Sequence, residues 1–209
     1  MEADFTVVTV AFGDKYKQFV PSWWESILNL NTKPKEVIVV HNPQDDTGVA
    51  DLPVKLIPVN SCNFTEMTNM GFKEVKTKWT GSLSLDDQYK SDSLEDIKYA
   101  NNFDIIGCNG INMSNGEYNS SNLEAIRDGN NYMLGFSFFT KQIYAKVGGW
   151  PNIYWSDWGF WWLCYKSGAR FTNSMRAEVV INDLFPGRIS TKNILHANEE
   201  MKKFMKENH

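Results

Sequence analysis

Apolar and polar positions fall into blocks along the first half of the chain. Residues 5–12 are almost wholly apolar or β-branched, the composition of a parallel strand covered on both faces. Gly13-Asp14 interrupts it. Phe19, Trp23, Ile27 and Leu30 then recur at helical spacing, which predicts a helix over about residues 16–30, ended by Asn31-Thr32-Lys33-Pro34. Residues 36–40 predict a second buried strand running into His41-Asn42. Strand, helix and strand in that order imply a parallel pair with a right-handed crossover. After a polar loop over 43–53, the pattern predicts a short strand at 54–59, a helix at 64–75 and a strand at 82–85. A helix capped by Ser91-Asp92-Ser93 and running to Ala100 follows, then a strand at 104–108.

The second half differs. Residues 109–131 are rich in Asn, Ser and Gly and predict a hairpin or an irregular surface. A strand is expected at 132–140, and a short helix at 142–147 stopped by Gly148-Gly149. Another helix is expected with Ser156 as its N-cap, running through Ser167. Residues 194–207 read as an amphipathic helix, with Ile194, Met201 and Phe204 at near-helical spacing, lying on the domain surface. No internal repeat or low-complexity linker divides the chain. The expectation is one α/β domain over residues 1–209: a mostly parallel central sheet flanked by helices, Rossmann-like to about residue 108, with a distinct half over about 109–209.

Composition narrows the class. Of 209 residues, 42% are hydrophobic and 14% aromatic, enough for a substantial core. A formal net charge of −4 lacks the basic footprint of a nucleic-acid binder, so no nucleic-acid partner is expected. Cys62, Cys108 and Cys164 are scattered without CxxC spacing, which points to reduced, buried thiols rather than a zinc site or disulfide framework. No apolar run is long enough to span a bilayer, and the Met-Glu-Ala-Asp start is no signal peptide. A soluble, cytoplasmic protein is the expectation.

Candidate chemistry sits in two stretches. Asp86-Asp87 follows the apolar run 82–85. In an open α/β sheet, ligands bind beyond the carboxyl ends of the strands. Adjacent carboxylates there repel each other and lose hydration unless a cation or donors compensate. A hard divalent metal compensates them and can bridge to a phosphate-bearing substrate. The plain alternative is a solvated turn. The second stretch is 148–163, where Asp157 stands at a predicted helix start and the macrodipole favours an ionised carboxylate. Trp150, Tyr154 and Trp155 precede that helix on a loop and could stack on sugar rings, whereas Trp161 and Trp162 are expected in the core. The GxGxxG fingerprint of a classical dinucleotide fold is absent after the first strand.

Taken in order, these segments resemble a glycosyltransferase of the GT-A fold, similar to the large family 2 of inverting, nucleotide-sugar-dependent enzymes. The pieces are the strand at 7–12, Glu36 to Asn42, Thr68-Asn69-Met70-Gly71, Leu85-Asp86-Asp87-Gln88, and Gly148-Gly149-Trp150 followed by Ser156-Asp157-Trp158. The resemblance implies a nucleotide-sugar-binding half over about 1–108 and an acceptor-binding half beyond it. It implies donor contacts from Ala11, Phe12, Asp14, Tyr16, His41, Asn42, Asn69 and Asp86. A divalent metal, manganese or magnesium, would be held on the diphosphate by Asp86, Asp87 and Gln88, with Asp183 or His196 as candidates to complete the site. Asp157 would be the catalytic base, and Trp150, Tyr154, Trp155 and Trp158 would face the acceptor. The expected donor is a UDP-sugar, and the acceptor a glycan or other hydroxyl compound in glycan biosynthesis.

The sequence departs from that family at Gln88, where an acid is usual, and at Ser156, where a Glu is usual. Rival classes fit less well. A haloacid-dehalogenase phosphatase wants Asp-X-Asp-X-Thr, which Asp86-Asp87-Gln88-Tyr89 does not match. A sugar nucleotidyltransferase wants a basic, Gly-rich loop where Gly13-Asp14-Lys15 stands. A non-catalytic carbohydrate-binding module could use the tryptophans but needs neither a buried parallel sheet nor Asp157.

Overall fold

A computed structural model describes residues 2–130, 133–185 and 194–208. The first half is strand and helix in alternation: β1 (Glu2–Ala11), α1 (Val20–Leu28), β2 (Lys33–His41), β3 (Lys55–Pro58), α2 (Phe64–Lys73) and β4 (Trp79–Ser82). The four strands are parallel in the order β3-β2-β1-β4. Ala11 pairs with His41, so the carboxyl ends of β1 and β2 lie side by side, as expected. The helix expected over 16–30 is divided into a 3-10 turn, Asp14–Phe19, and then α1. Pro21 explains the division. It has no N–H to donate, and its ring excludes the carbonyl four residues back, so it starts a helix instead of continuing one.

The second half completes the sheet. Its elements are β5 (Gln88–Tyr89), β6 (Ile105–Asn112), β7 (Tyr118–Ser120), α3 (Leu123–Arg127), β8 (Phe138–Thr140), α4 (Lys141–Val147), α5 (Ser156–Lys166), β9 (Phe171–Ile181) and α6 (Ile194–Glu207). The sheet runs β3-β2-β1-β4-β8-β6-β9-β5, with β7 added to β6. The pairings make β5, β7 and β8 antiparallel to the other described strands, so the sheet is mostly parallel in direction.

Period-two alternation sends successive side chains to opposite faces. Val7 and Phe138 join one buried cluster with Trp23 and Ile27 of α1. Their neighbours Val8 and Phe139 join the other, with Phe72 of α2, Phe160 and Trp161 of α5, and Met201 of α6. Helix α2 lies very close to the sheet. A Cβ on Gly71 would stand 2.5 Å from Cγ1 of Val8 and 3.0 Å from Cγ2 of Val40. Trp161 and Trp162 are core residues, as expected. Cys108 and Cys164 are buried free thiols, while Cys62 is exposed.

Several elements differ from expectation. The strand expected at 82–85 lies three residues earlier, as β4. Trp79 and Thr80 bridge β1 to β8, and the Thr80 hydroxyl donates to the carbonyl of Thr6. Leu83 and Leu85 are buried without belonging to a strand. The helix expected to end at Ala100 is a 3-10 turn, Glu95–Tyr99. The strand expected at 132–140 begins only at Phe138; residues 131 and 132 lie outside the described residues. Ser156 is the first residue of α5, not its cap; Trp155 holds the cap position and makes no side-chain capping bond. Strand β9 is a further element that apolar patterning did not predict. Among the described residues, no helix is long and apolar enough to cross a membrane.

Candidate active site

A cleft of about 680 Å³ opens at the carboxyl ends of β1 and β4. Two segments bring carboxylates to it: Asp86 and Asp87 after β4, and Asp157 in the first turn of α5. The chain reaches the acid pair through a short extension of the sheet. The N–H of Leu83 donates to the carbonyl of Val8, and the Thr9 hydroxyl donates to the carbonyl of Leu83. A turn then follows, closed by the N–H of Asp87 on the carbonyl of Ser84. Asp86 and Asp87 are buried to 7% and 4% exposure, although both border the cleft. Asp87 Oδ1 accepts the backbone N–H of Asn182, at the end of β9, at 3.1 Å. Among the described residues, no third Asp, Glu, His or Cys joins the pair in a metal-binding cluster.

Asp157 borders the same cleft from the first turn of α5. Helix α5 is anchored by Phe160, Trp161 and Trp162, which are buried and fix the direction of its first turn. Loss of hydration raises the Asp157 carboxyl above the ordinary value of 3.8, and the N–H groups of Trp158 and of Asp157 itself oppose the rise. Its Oδ2 lies against Gly135: a Cβ at that glycine would be 3.1 Å away. Ser82, at the end of β4, donates to the carbonyl of Gly135, so the strand that leads to the acid pair is tied to the segment that touches Asp157.

The remaining expected residues divide by position. Phe12 and Tyr16 border the cleft, with Lys15 Nζ 5.0 Å from the Tyr16 ring centroid. Trp150, Tyr154 and Trp155 border it from the loop before α5. Ala11 is buried in β1, and Asn42 accepts the N–H of Gln44 on its side chain. Asp14 is exposed and accepts the N–H of Asp46, joining the loop after β1 to the loop after β2. His41 closes β2 against Ala11 and Pro58. None of these four is among the residues bordering the cleft.

Asn69 also lies outside the lining, and its side chain is committed elsewhere. Its Oδ1 accepts from the Trp150 N–H and the Tyr144 hydroxyl, and its Nδ2 donates to the Trp150 carbonyl. It therefore anchors the turn that presents Trp150. Gln88 is paired with Val180 in the sheet, Asp183 accepts from the Ser114 N–H and hydroxyl, and His196 is exposed on α6. None of these three borders the cleft, nor does Trp158, which packs against the core from α5.

The structure adds residues that the sequence did not single out. Glu200 of α6 accepts the Tyr154 N–H at 2.7 Å, and Asn198 accepts the Trp155 indole N–H at 3.2 Å. The terminal helix thus holds the aromatic loop. The β6–β7 hairpin contributes Tyr118, Asn119 and Ser120 to the lining. Its polar composition was visible in the 109–131 stretch, but no motif marked individual positions.

Fold and cleft together define a GT-A architecture, a mixed α/β sheet with helices on both faces. Solved structures that share it include S. aureus TarS 1-349 in complex with UDP-GlcNAc, at TM-score 0.78 and 14% identity over 96% of this chain and 65% of that one. The same protein in complex with UDP aligns at TM-score 0.69 and 13% identity, over 85% of this chain and 60% of that one. S. aureus TarS without that truncation aligns at TM-score 0.70 and 13% identity, with 36% of its length covered. The chain therefore spans less than two thirds of the length of each of these structures. No protein-family profile matches the chain, and no curated protein matches it in sequence.

Proposed function

We propose that this protein is a glycosyltransferase that moves a sugar from a UDP-sugar to an acceptor hydroxyl, with inversion at the transferred carbon. The observation that carries this reading is the meeting of Asp86-Asp87 and Asp157 across one cleft. The fold's likeness to a protein crystallised with UDP-GlcNAc and with UDP supports a uridine nucleotide.

The acid pair fits a divalent cation. Two nearly buried, adjacent carboxylates carry repulsion that a cation relieves. Magnesium-type sites commonly use only one or two carboxylates, with substrate phosphates and water completing the shell. Asp86 and Asp87 would hold manganese or magnesium, which supplies Lewis-acid stabilisation of the diphosphate leaving group. Gln88 pairs with Val180 of β9 and does not border the cleft, so it is left out of the proposed ligand set.

The rest is done by the chain itself. Asp157 accepts the proton of the attacking hydroxyl, and its raised pKa brings it nearer the range in which a carboxylate is an effective base. Tyr154 and Trp155 offer apolar faces to an acceptor sugar, held by Glu200 and Asn198. Phe12 and Tyr16 wall the donor side. Attack from the Asp157 side, opposite the departing diphosphate, is a single displacement and inverts the centre. A glycan hydroxyl is the acceptor class that an aromatic loop of this kind fits.

The test is UDP release from a panel of UDP-sugars with manganese, measured with and without added mono- and oligosaccharides. Turnover of at least one donor, accelerated by a saccharide, is expected. Binding without any turnover across the panel would favour a non-catalytic carbohydrate-binding protein instead.

A further inference from the structure

The β6–β7 hairpin occupies the ground between the two carboxylate sites. Gly110 of β6 lies between Ile181 and Leu134: a Cβ there would meet Cδ1 of Ile181 at 2.5 Å and Cδ1 of Leu134 at 3.3 Å. Ile181 leads directly into Asn182, which donates to Asp87, and Leu134 leads into Gly135, which touches Asp157. The hairpin is fixed at both ends. Its turn is pinned by the bonds of Ser114 to Asp183, and its return strand by the Leu134 N–H on the Ser121 hydroxyl at 3.4 Å. A sugar leaving a diphosphate near Asp87 for a hydroxyl near Asp157 must pass along this wall.

The wall has the chemistry for that passenger. Tyr118, Asn119 and Ser120 border the cleft in succession. Tyr118 is 52% exposed, unusual for an aromatic residue in a firmly paired strand. Loss of hydration, with the nearby Glu178 carboxylate adding to it, pushes the pKa of its hydroxyl up. An exposed aromatic face beside an amide and a hydroxyl matches a pyranose, which presents apolar C–H faces and polar edges.

We infer that Tyr118, with Asn119 and Ser120 beside it, reads the transferred sugar of the donor, making the hairpin the sugar-specificity element of this cleft. The inference rests on the sugar-nucleotide reading above, and it assigns the hairpin to the donor sugar rather than to the nucleotide or the acceptor.

The experiment is calorimetric titration of the full chain with manganese, using UDP, UDP-glucose and UDP-N-acetylglucosamine. In the unmodified chain at least one sugar nucleotide binds more tightly than UDP. Tyr118→Ala lowers the affinity of that sugar nucleotide about tenfold, the equivalent of roughly 1.4 kcal/mol, and leaves UDP unchanged. Tyr118→Phe keeps the ring and stays within about twofold of the unmodified chain. Should Tyr118→Ala fail to fold, Asn119→Ala is expected to show the same selective loss. Equal losses for UDP and the sugar nucleotide, no loss for either, or an unmodified chain that prefers UDP would each overturn the inference. An unmodified chain that binds no uridine nucleotide would overturn the function on which it rests.

Discussion

At the scale of single residues the account turns on Asp157. Asp157→Asn keeps the shape of the side chain and removes the base. Turnover should fall by at least about a hundredfold, the lower range for a positioned general base. The affinity for UDP should be unchanged. The raised carboxyl pKa gives a second, independent reading with a definite sign. A carboxyl whose folded pKa lies above its unfolded value binds more protons in the native state, so stability falls as pH rises through that interval. Asp157→Asn should therefore melt at least as high as the unmodified chain at pH 7, with the difference vanishing below the ordinary value of 3.8. A melting temperature that drops at pH 7 would mean the carboxylate serves the helix start instead. The three acids were legible in the sequence because Leu-Asp-Asp and Ser-Asp-Trp are local patterns in a recognisable order. The sequence singled out Asn69 as a donor contact but not its bonds to Tyr144 and Trp150, because these partners are remote in sequence and only the packing of α2 on the turn before α5 joins them.

Elements were legible where their pattern was strongly apolar and blurred where tertiary contacts decided. Strands β1 and β2, helix α2 and the C-terminal helix α6 lie close to where periodicity puts them. Strand β9 was missed because Asn173, Ser174, Arg176 and Glu178 interrupt its apolar positions, and its pairing with β6 shifts register between Gly107 and Asn109. Two predictions belong at this scale. Gly71→Ala would improve the intrinsic helix propensity of α2 by up to about 1 kcal/mol. A methyl 2.5 Å from Val8 outweighs that gain, since overpacking a dense interface costs about 1–3 kcal/mol. Thermal denaturation should show a lower melting temperature for this variant; a higher one would mean that α2 can shift away from the sheet. Glu200→Ala removes the acceptor for the Tyr154 N–H, so hydrogen exchange at that amide should accelerate while exchange in β1 stays unchanged. Unaltered protection at Tyr154 would show that α6 does not hold the aromatic loop.

For the molecule as a whole, the sequence already implied one α/β domain, and the cleft is lined by residues from both before and after residue 108. Legibility stopped at the wall contributed by the hairpin, whose polar residues carry no local signature and gain meaning only by standing between Asp87 and Asp157. The central claim is that this cleft holds a uridine diphosphate on the acid pair. The most direct measurement is the melting temperature of the chain with UDP, with and without manganese, for the unmodified protein and for Asp87→Asn. Ligand at about a hundredfold excess over its dissociation constant adds roughly 2.7 kcal/mol to the folded state. At about 2–4 °C per kcal/mol for a domain of this size, UDP with manganese should raise the melting temperature by roughly 5–10 °C. Manganese should contribute much of that rise, and Asp87→Asn should abolish the manganese-dependent part. A melting temperature that no uridine nucleotide moves, with or without manganese, would contradict the account.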